Sequence, residues 1–411
     1  MTPPPAERPN AILLTVIVSM TVAFGPITID LYLPALPQIA LNLATDAEQV
    51  QRTLSVYMIG FAFSQIVYGP LSDRFGRRPL LLAGVGVYIA ASIACALAGS
   101  IEQLIVFRLL QAFGASCGPV LGRAVVRDYF TREEAARVMS WVISVMALGP
   151  ILAPMFGGLI ATWGDWRLNF WVLTLFAAIV MLAVLLFLGE SNRFKDPTAT
   201  DFTAMVKNFS TMLSQRIYVG FLITNVCMFA GLFSWLTGSS FVLIDRMGMT
   251  PLHYGLAFGG ASIGFLCGAQ TAARLVRRLG IERMCIGGAA CAAIGGFAIL
   301  ILLWSGANTP LAVMVPSVVY FFGMGITVPN IQAGAVSPFP RQAGAASSLL
   351  GLFQYASAGG VTFILSHFGF DPALLMATMM GVAGIAAIVC FTLLVWIPTQ
   401  RSARAERSQP D

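Results

Sequence analysis

Charged residues are scarce in this sequence. Asp, Glu, Lys and Arg make up 10% of its 411 residues, whereas soluble domains carry about 25%. Hydrophobic residues account for 57% of the chain, and the mean hydropathy is +0.81. This balance excludes a soluble globular protein and predicts a chain that lies largely within a lipid bilayer.

Groups that serve catalysis or metal binding are equally scarce. The chain has two His, and its seven Cys lie mostly within apolar runs, without the spacing of metal ligands. It contains no nucleotide-binding loop, no Ser/His/Asp set and no polar interval long enough for a soluble domain. We therefore expect no enzyme activity, no cofactor and no metal, and a membrane enzyme or sensor is not favoured. The cysteines are interpreted as small apolar residues rather than disulfides.

Long apolar stretches dominate what remains. About 20 apolar residues span a bilayer, and twelve stretches approach or exceed that length: 11–36, 52–72, 79–99, 103–126, 137–162, 168–188, 216–243, 252–273, 282–304, 309–332, 343–367 and 372–397. The sequence thus predicts an all-α membrane protein with twelve transmembrane helices in two six-helix bundles around a central cavity. The predicted divisions are an N-terminal tail 1–10, a first bundle 11–189, a linker 190–215, a second bundle 216–397 and a C-terminal tail 398–411.

The positive charges predict the orientation in the membrane. Nineteen of the 24 Lys and Arg fall in the tails and loops on the side shared by both termini, and only Arg52, Arg167 and Arg246 fall on the other side. Cytoplasmic loops are the ones enriched in Lys and Arg, so both termini are expected in the cytoplasm. The net charge of +6 is then a topology signal, and no nucleic-acid partner is expected.

The two halves resemble each other weakly. The loop after the second stretch reads GPLSDRFGRRPLL from Gly69, and the loop after the eighth reads ARLVRRLGIERM from Ala273. Aligning Gly76 with Gly280 places Arg277 where Asp73 stands, so the second copy is basic but lacks the acid. Parallel six-helix repeats indicate a transporter whose substrate site lies between the halves near the bilayer midplane.

One acid lies where acids are costly. Asp30 is embedded in the first apolar stretch, where an ionised carboxylate costs about 2.5–3.5 kcal/mol and is usually retained for function. Arg108 lies at a similar depth in the fourth stretch, so we expect a salt bridge between the two. The pair predicts a site that gains and loses a proton. A structural Asp, or a static pair that only helps assembly, is the alternative.

Two glycine-containing motifs suggest moving parts. In the loop after the second stretch, glycines permit a tight turn, and Asp73 can pair with nearby arginines as a latch; a plain cytoplasmic stop signal would need only the arginines. In the fifth stretch, two prolines bend the helix and small residues allow it to slide; ordinary helix packing is the alternative. The predicted gating residues are Gly69, Asp73, Arg74, Gly76, Arg77, Arg78, Gly149, Pro150, Pro154, Gly157 and Gly158.

These motifs carry a family resemblance. Gly69–Arg78, Phe107–Gly114 and Gly149–Gly158 resemble signatures of the major facilitator superfamily. Ile29–Pro37, together with Tyr68–Arg74 and Arg127-Asp128, resembles the bicyclomycin/chloramphenicol-resistance (Bcr/CflA) group of drug:proton antiporters. The resemblance implies export of an antibiotic or other drug-like molecule from bacteria, across the inner membrane, in exchange for protons and by alternating access. It also implies that Asp30 couples proton and substrate and that Arg108 takes part in proton coupling.

Substrate contacts are expected from polar and aromatic side chains of both halves. The hydrocarbon portion of the second half contains no Asp, Glu or His, so proton handling is assigned to the first half, and the second contributes shape and polar contacts. Each candidate of the second half has the alternative of facing a neighbouring helix. Arg123 is expected to meet an anionic substrate or Asp128, with a structural role as its alternative. The candidates are Asp30, Tyr32, Tyr57, Phe61, Gln111, Arg123, Asn225, Trp235, Asn330, Gln332, Gln354 and Tyr355.

Two further expectations complete the sequence reading. The protein is expected to work as a monomer in the lipid bilayer, with protons and a small drug-like substrate as its partners. The alternative function is a proton-coupled symporter, or an exporter of a small metabolite such as an amino acid or organic acid. The Gly-Pro and Gly-Gly pairs of the fifth stretch favour the antiporter, because that motif is associated with antiporters in the family it resembles.

Overall fold

The computed structural model describes residues 11–192, 195–197, 200, 202–339, 342–367 and 371–400. The predicted tail 1–10 and residues 401–411 of the predicted tail 398–411 lie outside these ranges. So do six basic residues that were counted for the orientation: Arg8, Arg193, Arg341, Arg401, Arg404 and Arg407. The chain divides into two compact units, Met1–Asp201 and Phe202–Asp411.

Helices form all the regular structure of the described residues. In the first unit they are α1 Ala11–Val22, α2 Phe24–Asp30, a 3-10 turn Leu33–Ala35, α3 Leu36–Asn42, α4 Ala47–Phe75, α5 Arg77–Ala96, α6 Ile101–Tyr129, α7 Arg132–Trp163 and α8 Arg167–Phe187. In the second unit they are α9 Phe202–Leu213, α10 Arg216–Ser240 with a π-helical end Phe241–Arg246, α11 Pro251–Trp304, α12 Pro310–Val336, α13 Ala343–His367, and α14 Pro372–Phe391 with a π-helical turn Thr392–Trp396.

Side-chain caps set several of the helix starts. Asp46 accepts a hydrogen bond from the backbone N–H of Gln49 at 2.8 Å before α4, and Ser100 does the same for Gln103 before α6. Thr131 and Glu134 form a reciprocal capping box at the start of α7. These short polar side chains satisfy N–H groups that have no partner inside the helix, so the polar loops are also where the apolar helices begin.

The first predicted span is broken. The segments Ala11–Val22 and Phe24–Asn42 are bent by 44° relative to each other. Pro26 lies in the first turn of α2, where the missing N–H of proline is tolerated, and Pro34 and Pro37 follow in the next two short elements. Asp30 is therefore the last residue of a seven-residue helix that is followed by a tighter turn.

Glycine turns separate α4 from α5 and divide α11. Gly76 has φ 108° and ψ 157° between α4 and α5, and Gly280 has φ 81° and ψ 160° inside α11. Only glycine adopts this backbone readily. The 54 residues of α11 therefore hold both the eighth and the ninth predicted stretch.

The predicted fold class is confirmed. Each of the twelve apolar stretches falls on helix, and nine helices of the described residues are long and apolar enough to cross a membrane, or ten if the bent pair at the start is one span. In α8, Leu175, Ile179, Leu182 and Leu186 are 50–64% exposed. Their spacing of three and four residues puts them on one helix face, as expected for a side that meets lipid.

Candidate functional site in the first unit

The carboxylate of Asp30 is buried without a partner. The residue is 6% exposed, and across the described part of the chain its side chain has no hydrogen bond or ion pair. Its helix is tightly held from one side, because Gly157 of α7 packs against the backbone of Leu31. A Cβ atom at position 157 would lie 2.9 Å from the Leu31 carbonyl carbon. Gly157, one of the predicted gating residues, thus touches the chain immediately after Asp30.

Arg108 is fully buried at the middle of the first unit. Its Nη1 donates a hydrogen bond to Oε1 of Gln111 at 2.7 Å, and Nε2 of Gln111 donates to Oγ of Ser92 at 2.8 Å. The Ser92 hydroxyl in turn donates to the carbonyl of Tyr88 at 2.7 Å. This chain of hydrogen bonds ties the guanidinium on α6 to α5.

Aromatic rings surround the same guanidinium. Its central carbon lies 4.4 Å from the ring centroid of Tyr32 and 4.3 Å from that of Tyr57, with the Phe170 ring 5.9 Å away. The Nε and Nη2 atoms of Arg108 are buried and have no hydrogen-bond partner among the described residues. Arg108 is thus a buried cation that is held by ring faces and one amide.

The expected salt bridge between Asp30 and Arg108 is not formed in this structure. Within the described ranges no ion pair joins the two residues. Depth along the helices was the basis for that expectation, and it does not determine the direction in which a side chain points. The guanidinium meets the amide oxygen of Gln111 and the ring faces of Tyr32 and Tyr57 instead, and a ring face offers negative charge density to a cation.

The remaining substrate candidates of the first unit are either buried or bonded to another residue of the protein. Tyr32, Tyr57 and Phe61 are each at most 1% exposed, and Gln111 is fully buried as the partner of Arg108. Arg123 is exposed and donates from Nε to the carbonyl of Pro119 on its own helix at 2.7 Å.

The second-unit candidates are also dispersed. Nδ2 of Asn225 donates to Oε1 of Gln354 at 3.4 Å, so these two residues are brought together. Trp235 is fully buried against Tyr254, Phe258 and Phe321. The Asn330 amide donates to the carbonyl of Ile326 on its own helix. Gln332 is exposed, and the ring centroid of Tyr355 lies 6.5 Å from that of Phe233.

The glycine motif between α4 and α5 forms a charged network. Arg77 pairs with Asp73 at 2.5 Å and with Asp128, at the end of α6, at 3.1 Å. It also donates to the hydroxyl of Ser72, and Ser191 donates to Asp128 at 3.0 Å. Arg77 is only 4% exposed, so one buried guanidinium joins α4, α5, α6 and the segment after α8.

The other members of this motif reach α8 and the segment that follows it. Arg74 donates to the hydroxyl of Thr200 at 2.9 Å, and Arg78 donates to the carbonyl of Leu185 at 2.9 Å. The backbone carbonyl of Asp73 accepts from Nδ2 of Asn192 at 2.9 Å. All these contacts lie within the first unit.

Sequence reasoning missed Glu190 as part of this network. Its carboxylate accepts the backbone N–H of Arg77 at 2.9 Å and that of Arg78 at 3.3 Å. These are the first two residues of α5, where a helix terminus favours negative charge. An acid directly after an apolar stretch was the available signal, but its partner lies 113 positions earlier in the chain. Tyr88 was also missed; its hydroxyl shares a hydrogen bond of 2.5 Å with that of Thr28.

No cluster suited to a metal is found in the described ranges, where no three His, Cys, Asp or Glu come together in a way that would hold an ion. The first unit instead buries Asp30 and Arg108, and a second set of its ionisable groups forms the network around Arg77.

Several known proteins are similar to this chain over most of its length. The chain is 28% identical over 380 residues to the bicyclomycin resistance protein homolog of Haemophilus influenzae, covering 92% of this chain and 94% of that protein. It is 26% identical over 395 residues to multidrug resistance protein D of Escherichia coli, covering 95% and 97%. The xylose transporter XylE from E. coli, in a partially occluded inward-open conformation, has a similar fold, with a TM-score of 0.75 at 14% identity over 94% of this chain and 99% of that one.

Residues 12–362 match the Major Facilitator Superfamily. That range contains the buried acid, the buried arginine and the glycine motifs of both units. The protein is a multi-pass membrane transporter, not an enzyme, and belongs to the Major Facilitator Superfamily.

Proposed function

We propose that the protein exports an antibiotic or other drug-like small molecule across the bacterial inner membrane in exchange for protons, by alternating access. Asp30 carries the proton, and Arg108 takes part in the coupling. The names of the two relatives, a bicyclomycin resistance protein homolog and a multidrug resistance protein, support the substrate class.

One observation carries the proposal: the carboxylate of Asp30 is buried in a membrane-spanning segment and has no hydrogen bond or ion pair to any other described residue. A buried charge without a partner is costly. Deprotonated Asp30 therefore requires a cation or a hydrogen-bonding substrate nearby, and protonated Asp30 does not. Exchange of proton for substrate at one carboxylate follows from this difference.

The packing of α7 supports a mechanical role for the Gly149–Gly158 motif, which lies in that helix. Gly157 contacts the backbone next to Asp30, and Pro150 and Pro154 lie within the same helix. Proline removes a backbone hydrogen bond and bends a helix. A change in the bend of α7 therefore moves the segment against which Leu31 rests, and the environment of Asp30 changes with it.

The driving force is sufficient for useful export. One charge moving through 100 mV releases about 2.3 kcal/mol. For a neutral substrate and one proton, this supports a concentration gradient of roughly fiftyfold, since every 1.4 kcal/mol is a factor of ten.

The test combines drug susceptibility with proton flux. In an efflux-deleted bacterial host, the wild type should raise resistance to some members of a panel that includes bicyclomycin and chloramphenicol. In inverted vesicles, addition of such a drug should release protons from the acidified lumen. Asp30→Asn should abolish both effects while the protein still inserts, and Asp30→Glu should retain part of them. Asp165→Asn, which changes an exposed acid of the same unit, is the matched control.

Two results would contradict the proposal. Undiminished resistance in cells that carry Asp30→Asn would remove Asp30 from the coupling. Proton movement in the same direction as the substrate would identify a symporter, the alternative function, instead of an antiporter.

The proposed placement is the inner membrane with both termini in the cytoplasm, and the proposed working form is a monomer. A C-terminal fusion to a fluorescent protein that matures only in the cytoplasm should be bright, and a C-terminal alkaline phosphatase fusion should be inactive. The opposite pattern would overturn this orientation.

A further inference from the structure

We propose that Tyr32 and Tyr57 are positioning residues for Arg108: their ring faces hold the buried guanidinium in place of a counter-ion, and neither tyrosine contacts the substrate. This assignment replaces their predicted role as substrate contacts. Its transport consequences rest on the proposed function, and its stability consequences do not.

The two rings lie close to the guanidinium from different elements. The central carbon of Arg108 is 4.4 Å from the centroid of Tyr32, which directly precedes the 3-10 turn after α2, and 4.3 Å from that of Tyr57 on α4. Both distances lie well inside the range of about 6 Å over which a ring face attracts a cation. The attraction is strongest where water is excluded, and all three residues are at most 1% exposed.

The ring of Tyr32 is fixed by a second contact. Its hydroxyl shares a hydrogen bond of 2.9 Å with Oγ1 of Thr53, whose hydroxyl also donates to the carbonyl of Val50 at 2.6 Å. Thr53 and Tyr57 lie one turn apart on α4. That helix therefore supplies one ring directly and anchors the other, so the two faces keep a defined separation around Arg108.

The hydrogen bonds of Arg108 show what the rings preserve. Only Nη1 is engaged, by Gln111, while Nε and Nη2 have no partner among the described residues. A buried cation requires compensation. Ring faces compensate the charge without consuming N–H donors, whereas a carboxylate would take two of them. The tyrosines thus keep the guanidinium buried, charged and available to a later acceptor.

A double-mutant cycle on thermal stability tests this assignment directly. The variants are Tyr57→Leu, Tyr57→Phe, Arg108→Met and the combinations with Arg108→Met, each purified as the full chain in detergent. Tyr57→Phe keeps the ring and should change Tm little. Tyr57→Leu should lower Tm clearly, and that lowering should shrink by roughly half or more when Arg108 is already Met, because the lost partner is then absent.

A buried tyrosine of the second unit provides the control. Tyr320 is fully buried, and its hydroxyl donates to the carbonyl of Met228. Tyr320→Leu should lower Tm by the same amount with Arg108 and with Met at position 108. An equal loss from Tyr57→Leu in both backgrounds would overturn the proposal. Should Tyr57→Leu not accumulate in the membrane, Tyr32→Leu completes the same cycle with the same two outcomes.

Transport measurements separate positioning from substrate contact. For a drug that the wild type exports, Tyr57→Phe should keep the maximal rate, and Tyr57→Leu should lower it several-fold with little change in KM. A several-fold rise in KM with an unchanged maximal rate would instead identify a substrate contact and overturn the proposal. If the wild type moves no drug against protons, the proposed function fails, and the Tm cycle still decides the role of the tyrosines.

Discussion

The two glycine turns of this protein have the same backbone conformation but different charged surroundings. Gly76 and Gly280 have similar dihedral angles, as expected from a repeat. The first turn lies within the network of Arg77, Asp73, Asp128 and Glu190. At the second turn, the exposed Arg277 occupies the position of Asp73, and no ion pair is found there among the described residues. The two turns thus have the same geometry, whereas among the described residues the charged network is found at the first turn and not at the second.

The same asymmetry extends into the membrane. The first unit buries Asp30 and Arg108, whereas the buried polar groups in the described part of the second unit are hydroxyls and amides such as Thr237, Asn225 and Asn330. Neutral polar groups hold helices together at modest cost, and buried charges are costly unless they are used. The first unit therefore has the buried charged groups that the proposed coupling requires, and the second unit has neutral polar groups that suit helix packing.

The largest expected effect comes from replacing Arg77, the centre of the charged network in the first unit. Arg77→Met should lower the free energy of unfolding by about 3 kcal/mol, because Asp128 would keep only the hydroxyl of Ser191 as partner. Arg277→Met, which changes an exposed arginine beside the second turn, should change it by less than about 0.5 kcal/mol. Thermal or denaturant unfolding in detergent measures both. Equal effects would contradict the asymmetry between the turns.

A smaller difference is expected between the glycines themselves. Gly76→Ala and Gly280→Ala should each cost about 1–3 kcal/mol, because both positions have a backbone that side chains rarely adopt. Gly76→Ala should cost more, since its Cβ would also meet the carboxylate of Glu190, whereas a Cβ at position 280 would approach only Glu282, at 3.3 Å. Comparing the Tm of the two variants checks the order. A larger decrease in Tm for Gly280→Ala would show that the Glu190 side chain moves aside without cost when a Cβ is added at position 76.

The smallest effect is expected at the exposed ion pair of the second unit. Arg246 pairs with Asp371 at 2.5 Å, and its hydrogen bonds hold the pKa of Asp371 below the usual 3.8. The stability from this pair is thus fully present above that usual value and is lost as the pH falls through the lowered pKa. Both side chains are about one-third or more exposed, so the contribution should stay below about 1 kcal/mol.

The pH dependence of the Asp371→Asn variant measures this contribution. Asparagine keeps a capping side chain at the start of α14 and removes only the charge. The difference in Tm from the wild type should be small and constant from pH 8 to pH 5, and it should narrow only in more acid solution. A difference that disappears near pH 6 would mean that Arg246 does not lower the pKa of Asp371.

The sequence predicted the fold because lipid imposes a simple rule on it. A segment that crosses a bilayer must be helical and apolar over a known length, so the apolar stretches located the helices, including the two within α11. The turn at Gly76 was also predictable, because glycine permits the tight turn that the short loop between two apolar stretches requires. Such features are encoded over a few neighbouring residues.

The partners of buried polar groups were not encoded in this way. Arg108 contacts Tyr32 and Tyr57, which come from segments more than 50 positions earlier in the chain, and Glu190 closes a contact over 113 positions. Helical rotation decides which side chains meet, and an error of one residue turns a side chain by about 100°. Depth along a helix was therefore predictable from the sequence, whereas the choice of partner was not.

The break at the end of α2 has a mechanical consequence. Asp30 ends that helix, and Tyr32 follows after a single intervening residue, Leu31, whose backbone rests on Gly157. Asp30 lies on one side of this short link, and Tyr32, whose ring contacts the guanidinium of Arg108, lies on the other. A rotation of the peptide units at Leu31 would therefore displace both the carboxylate of Asp30 and the ring of Tyr32 that contacts Arg108.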